Sequence, residues 1–427
     1  KPDGSELLMA IGDRIFIYEA EGGELVQSLR AHDPGKNVYV VAYSKDGKFF
    51  ASGGADRNVI IWNSKAEGVL KYNHNTSVQA LAFNPVTHEL ASVSVGDFTI
   101  WEQEQKKVEK IQLESKGLAA SWSPDGLILA IGLFSGKVLL KDKQGKSLSE
   151  FSKSSPVWCL EWNPVKTEDS SCRLAVGCWD ETLSFWDGQG KQIGVEKELG
   201  FDPSCMNFFG NGEFLVIGGS DKKVTLWTKD GVKLGVIGEG KDWFWSCKVR
   251  PKHNCVAVGS NEGTISMYQL SFNIVHGLYK ERYAHRELMT DVIIQHLVSE
   301  QKVRIKCRDL VKKISVYKDR LAVQLPERVV IYAVVPEDEL DMKYKSFKKI
   351  NKAFDCTLLV MAYKHVLICY ESKIQLYNLS GELDREWHME AVIRYIKVMG
   401  GPPGRELVLV GLKNGNVLKL FVDNPFP

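Results

Sequence analysis

His32, Ser52 and Asp56 are the residue types of a nucleophilic centre: a hydroxyl to attack, an imidazole to take its proton, a carboxylate to hold the imidazole. The same types return at His74, Ser92 and Asp97, and each set is followed by a tryptophan, Trp62 and then Trp101. A catalytic centre is built once in a chain, whereas a structural module is copied. Repetition and the tryptophans therefore favour a structural role, and no catalytic residue is assigned. Other chemistry finds no support. The chain has no Gly-x-x-x-x-Gly-Lys-Ser/Thr loop and no Gly-x-Ser-x-Gly elbow. Gly400-Gly401-Pro402-Pro403-Gly404 is glycine-rich, but its prolines lack the amide donors a phosphate needs. His388-Met389-Glu390 matches half of a zinc-deaminase signature without its Pro-Cys-x-x-Cys partner. The 9 cysteines form no Cys-x-x-Cys pair, which suits free buried thiols in a reducing compartment. Neither a metal nor a cofactor is expected.

What must position these residues is a strand pattern. Residues 38–63, VYVVAYSKDGKFFASGGADRNVIIWN, read as short strands joined by tight turns, the first turn of the Asp-Gly kind that closes hairpins. So small a sheet cannot bury both faces alone. The chain supplies cover by repetition. Ala51 has counterparts at Ala10, Ala91, Ala130, Ala175, Val216 and Ala257, with successive gaps of 41, 40, 39, 45, 41 and 41 residues. A period of about forty residues with three or four strands per unit is that of a β-propeller blade, and a closed ring of blades leaves no open sheet edge. Turn residues recur with it, at Lys1-Pro2-Asp3-Gly4, Asn84-Pro85, Ser123-Pro124-Asp125-Gly126, Asn163-Pro164, Asn211-Gly212 and Arg250-Pro251. Asp56 and Trp62 stand at the same spacing as Asp180 and Trp186 and as Asp221 and Trp227, with Glu262 and Tyr268 a softened copy.

On these marks residues 1–270 resemble the WD-repeat family. In that family a buried His, a Ser or Thr, a turn Asp and a third-strand Trp form one hydrogen-bonded set that ties a blade together. The resemblance implies this role for His32, Ser52, Asp56 and Trp62. It implies the same for His74, Ser92 and Trp101, although Asp97 lies only four residues before its Trp. Ser135 and Lys141 stand where the fourth blade's Asp and Trp belong, so that set is lost. The fifth and sixth blades keep Asp180, Trp186, Asp221 and Trp227 but have no His.

A hydrophobic fraction of 44%, a charged fraction of 25% and a net charge of +2 describe a globular chain without a strong pull on nucleic acid. The halves differ: residues 271–427 carry 25 Lys and Arg against 19 Asp and Glu, and residues 1–270 carry 30 against 34. The longest apolar run, from Thr357, meets Lys364-His365 too soon to span a bilayer. A charged connector over 281–287 sets the expected domain boundary. The fold class is all-β: a seven-bladed propeller over 1–285, its first strand missing, then part of a second, degenerate propeller over 286–427. In the second, Tyr332, Tyr377 and Phe421 take the place of the third-strand Trp, which predicts three clear blades plus fragments and a ring continuing beyond the chain.

Two features suit docking. Trp179 beside Asp180, Phe134 in the equivalent turn of the fourth blade, and Trp243 ahead of the seventh blade lie in loops that line one face of a WD-repeat ring, where such aromatics either pack against neighbouring blades or, if exposed, serve as anchors. The other is basic. Strand alternation puts Lys302, Arg304, Lys306 and Arg308 on one face, which reads first as a solvated outer face and otherwise as suited to an acidic partner or an anionic membrane surface.

Residues 300–313 (EQKVRIKCRDLVKK), 320–327 (RLAVQLPE) and 393–424 (IRYIKVMGGPPGRELVLVGLKNGNVLKLFVDN) closely resemble the intraflagellar transport protein 122 family. His74-Asn75, Phe201-Asp202-Pro203 and residues 218–222 and 275–280 do the same. The resemblance implies two propellers followed by a helical solenoid, in a non-catalytic core subunit of intraflagellar transport complex A. It implies retrograde transport and delivery of membrane cargo, in the cytoplasm and in the cilium including its base. Implied partners are other subunits of the complex and cargo or cargo adaptors, with peripheral membrane contact, and without nucleic acid or a small-molecule substrate. The alternatives are a vesicle-coat propeller that reads cargo tails and an enzyme on a propeller chassis. A ubiquitin-ligase receptor is disfavoured, because Trp186-Asp187-Gly188 is followed by Gln189 rather than Arg.

Overall fold

The computed structural model describes residues 1–102, 108–167, 170–335 and 342–426, and every helix or strand assigned among them is a β-strand. The chain divides into two units, Lys1–Ser271 and Phe272–Pro427.

The first unit is a seven-bladed propeller, each blade an antiparallel meander. The second blade sets the plan, with Val38–Tyr43 innermost, then Phe49–Gly54, Asn58–Asn63 and, outermost, Gly68–Asn73. Burial follows that order. Phe50, Ala51, Ser52, Gly53 and Gly54 are all buried, whereas the outer strand is exposed or half-buried throughout. A middle strand sandwiched between neighbouring blades has no solvent face, so it loses polar alternation and becomes a run of small and branched residues. The inner strands of blades two to seven begin at Val38, Val78, Gly117, Val157, Pro203 and Phe244, and each contacts the next in that order.

The spacing between blades is set by glycine. A Cβ on Gly53 would stand 2.7 Å from Val78 Cγ1, at the start of the next blade's inner strand. Gly132 meets Val157 Cγ1 at 2.8 Å in the same way, and Gly218 meets the Phe244 Cβ at 3.1 Å. The proline-bearing turns then bond laterally. Asn84 Nδ2 donates to Gly126 O at 2.9 Å, and Asn163 Nδ2 to Gly212 O at 2.8 Å, each reaching the following blade. Arg250 Nε donates to Gly4 O at 2.8 Å, which joins the seventh blade to the first and closes the ring.

Among the described residues the second unit has four blades. Its first is His276–Tyr279, Arg282–Glu287, Asp291–His296 and Lys302–Lys306; its second runs from Lys313–Tyr317 to Tyr344–Ile350. The third runs from Leu358–Met361 to Leu383–His388, and the fourth from Ile393–Gly400 to Val417–Phe421. Three expectations change here. The division falls between Ser271 and Phe272, so a boundary at 285/286 would cut the strand Arg282–Glu287. That stretch is no connector, because Ala284 is fully buried and the charged Arg286 is turned onto Val311 O at 2.9 Å. Finally, the blade expected only as fragments is complete, its outer two strands being Asp291–His296 and Lys302–Lys306.

A Gly53→Val substitution is expected to lower unfolding stability by about 1–3 kcal/mol through overpacking against Val78. Gly68→Ala, whose Cβ would meet nothing closer than Ile60 Cγ2 at 3.8 Å, is expected to change it little, with denaturant titration of the two variants as the check.

Candidate functional site

The histidine sets are buried hydrogen-bonded networks. Trp62 Nε1 donates to Ser52 Oγ at 3.0 Å, since an indole nitrogen has nothing else to offer. With Ser52 Oγ donating to His32 Nε2 at 2.8 Å, the single N–H of the imidazole sits on Nδ1, 2.9 Å from Asp56 Oδ2. Asp56 also accepts from Asn58 Nδ2 at 2.7 Å. Burial pushes this carboxyl up, but the bonds from Asn58 and His32 outweigh it and hold it below the usual range. Trp62 is stacked on Phe50 with ring centres 5.7 Å apart. Ser52 is fully buried and its proton is committed, so it has neither access nor freedom to attack a substrate.

The third blade repeats the device with one substitution. His74 Nδ1 bonds Asp97 Oδ1, and His74 Nε2 accepts from Ser92 Oγ at 2.8 Å. The shortened Asp–Trp spacing leaves this carboxylate in place. Trp101, expected to complete the set, does not: its Nε1 finds no acceptor among the described residues. Tyr72, on the preceding outer strand, takes over, with its hydroxyl 3.0 Å from Ser92 Oγ. The signal was the tyrosine two residues ahead of His74.

In the fifth and sixth blades the tryptophans turn inward on their own strands. Trp186 Nε1 donates to Ser184 Oγ at 2.9 Å, and Trp227 Nε1 to Thr225 Oγ1 at 2.8 Å. Asp180 accepts instead from Ser154 Oγ at 2.7 Å and pairs with Lys153 at 3.4 Å, while burial pushes the Asp221 carboxyl up. Without a histidine, the Asp and the Trp are no longer connected.

The surface feature is aromatic. Trp179 is stacked on Trp158, rings 4.5 Å apart and 9° from parallel, and donates from Nε1 to Pro203 O at 3.2 Å. Trp243 is stacked on Trp245 at 5.3 Å. The two pairs meet at 5.5 Å (Trp158–Trp245) and 6.0 Å (Trp179–Trp243), so four indoles form one cluster. Trp158, Trp179 and Trp243 are half-buried, and Trp245 is 37% exposed. Sequence reading found Trp179 and Trp243 but missed Trp158 and Trp245. Both missed residues sit at the bulge of an inner strand, where the ladder skips one residue and its side chain is re-aimed. Phe134, 46% exposed, stands in its own turn with Lys116 Nζ 5.3 Å from its ring centre.

In the second unit Lys302, Arg304 and Lys306 are exposed and Val303 and Ile305 half-buried, as alternation requires. Arg304 is drawn back to Glu287 and lies 3.6 Å from Asp291, which leaves Lys302, Lys306 and Arg308 without an acidic partner among the described residues. The inner strands of this unit line a cleft of 360 Å³ that includes His276, Lys313, Val316, Met361 and Lys397.

Residues 1–269 match the family model of the IFT122 first β-propeller, and residues 276–427 that of the IFT122 second β-propeller. The chain belongs to the intraflagellar transport protein 122 family. Intraflagellar transport protein 122 homologues of Xenopus tropicalis and Mus musculus are each 52% identical over 430 residues, covering 100% of this chain and 36% of theirs. The Homo sapiens homologue is 46% identical over 488 residues, covering 100% of this chain and 39% of its own length. The chain therefore spans little more than a third of the curated relatives it matches. Among solved structures, the Cps50 (Swd1) β-propeller domain of Myceliophteria thermophila aligns with TM-score 0.55 and 15% identity over 64% of this chain and 94% of that one. A chain of the mitotic checkpoint complex aligns with TM-score 0.56 and 18% identity over 62% and 84%. At that identity these two establish the fold alone.

His32→Ala is expected to cost about 2–4 kcal/mol, because it strands both the Ser52 hydroxyl and the Asp56 carboxylate in the interior, and Trp62→Phe about 1 kcal/mol. Thermal unfolding of the two variants measures the difference. Acid is expected to act through His74. Burial holds its imidazole below the ordinary 6.5 against the opposing pull of Asp97, so the unfolded chain binds that proton more readily than the folded one. Stability from this group is complete above pH 6.5 and is lost as pH falls below it. His74→Gln should be less stable at neutral pH, yet show a shallower loss between about pH 7 and 5. An unchanged slope would sink the assignment.

Proposed function

We propose that the chain is the propeller portion of a non-catalytic scaffold subunit of intraflagellar transport complex A, acting in the cytoplasm and cilium. In this reading it docks other subunits and cargo for retrograde transport and for delivery of ciliary membrane proteins. The observation that carries it is the match of both units, in chain order, to the first and second IFT122 propellers. The geometry agrees with a scaffold: the histidine networks are buried, while the features left open are aromatic and basic surfaces. Trp179 and Trp243 are proposed to dock protein partners, Phe134 to contribute beside them, and Lys302, Lys306 and Arg308 to meet an acidic partner or an anionic membrane. Arg304 is proposed to hold that basic strand in place through Glu287 rather than to bind.

Affinity capture of the tagged protein from ciliated cells, followed by mass spectrometry, is expected to enrich the subunits of complex A. Its loss is expected to leave transport particles stranded at ciliary tips. Capture of vesicle-coat subunits with normal ciliary transport would contradict the reading.

A further inference from the structure

The four tryptophans belong to blades five and seven, and what lets them meet is the residue between. At the bulge position the inner strands carry Trp158, Ser204 and Trp245 in successive blades. The small Ser204 turns its hydroxyl into the backbone, donating to Phe244 O and lying 3.3 Å from Gly218 O, so no side chain separates the indoles across blade six. The surrounding loops share one end of the unit. Trp179 N donates to Pro156 O at 3.0 Å, Asn261 N to Trp243 O at 2.8 Å, and Leu199 N to Glu181 O at 2.8 Å.

That end is acidic around the rings. Glu181 follows Trp179 and Asp180, Asp202 precedes the proline that Trp179 bonds, Asp242 precedes Trp243, and Glu262 lies in the adjoining turn. Glu181, Asp202, Asp242 and Glu262 have no ion pair with a basic side chain among the described residues. Asp242 is held ionised by Asn261 Nδ2 at 2.8 Å and the Trp243 amide. Lys153 is consumed by Asp180 and Glu196 and Lys223 by Glu239, which leaves Lys241 and Lys222, the latter favouring the charged form of Asp242, as the opposing charges in these loops. No cation of the chain itself covers these rings among the described residues, whereas Phe134 and Trp227 are each covered by a lysine. Rings this close leave no cage to enclose a ligand. The two stacks cover their own inner faces and are inclined to each other, so a planar guanidinium would stack on an outer indole face, attracted by both the quadrupole and the carboxylates.

We infer that the cluster of Trp158, Trp179, Trp243 and Trp245, rimmed by Asp202 and Asp242, docks an arginine-bearing segment of a partner protein. The inference rests on the docking role proposed above, but not on which complex supplies the partner.

The test uses the purified 427-residue chain and three synthetic peptides of equal length: an arginine–glycine repeat, its citrulline counterpart and a glutamate–glycine repeat. Indole fluorescence reports binding. The arginine peptide is expected to bind saturably, about tenfold more tightly than the citrulline peptide, with no binding by the glutamate peptide. Trp245→Ala and Trp179→Ala are each expected to weaken it about tenfold, with Trp245→Phe retaining most of the affinity and Phe134→Ala all of it. Asp242→Asn, which removes the charge but keeps an acceptor oxygen for Asn261 and the Trp243 amide, must weaken it too, which keeps the test decisive should a tryptophan variant fail to fold. Equal binding of arginine and citrulline peptides, tighter binding of the glutamate peptide, or binding unchanged in the Trp245 and Asp242 variants overturns the inference. None of these outcomes bears on co-purification with complex A, so failure here and failure of the scaffold assignment are distinguishable.

Discussion

A sheet of three or four strands has two faces to bury and nothing within itself to bury them against, so every blade here is stable only as its neighbour's wall. That constraint explains the glycine near the end of so many middle strands. Gly53, Gly132 and Gly218 sit where the next blade's inner strand begins, at separations that would bring a Cβ to within 2.7, 2.8 and 3.1 Å of it. It also explains why the proline turns matter beyond reversing the chain. Asn84, Asn163 and Arg250 each hold a glycine carbonyl of the adjoining blade, and the last of these closes the circle. The polar sets are secondary to this packing. Where a blade has a histidine the set spans strand, loop and turn, and where it lacks one the tryptophan settles for a hydroxyl two residues away.

The fold was legible because its determinants are local and repeated. A forty-residue period, Asp-Gly and Asn-Pro turns and the Asp-to-Trp spacing all survive in the bare chain, and they suffice to place the strands of the first unit. The second unit was harder to divide. Residues 281–287 carry enough charge to read as a connector, and only the pairing with His276–Tyr279 and the burial of Ala284 reveal a strand. Charge on a strand is tolerated when it reaches a carbonyl, as Arg286 does, and sequence alone gives no sign of that partner.

The candidate site divides along the same line. Trp179 and Trp243 lie in loops whose place on the ring follows from the repeat, so they were accessible to sequence reasoning. Trp158 and Trp245 lie within strands, where a tryptophan is ordinarily core. Their exposure depends on a one-residue bulge and on a serine in the blade between, relations that span some ninety residues and appear only when the blades are assembled. Trp101 shows the converse. Its position in the repeat promised a hydrogen bond, and Tyr72 reached the acceptor from another strand.

The central claim is that packing between blades, with buried polar networks inside them, holds this chain together while its aromatic end meets partners. Hydrogen–deuterium exchange on the isolated chain and on the same protein within its native complex tests this most directly. Slower exchange in the complex at residues 153–158, 179–181 and 240–245, with the strands carrying Ser52 and Ser92 equally protected in both states, is the predicted result. Unchanged exchange throughout those three loops, or protection arising instead at the histidine networks, would contradict it.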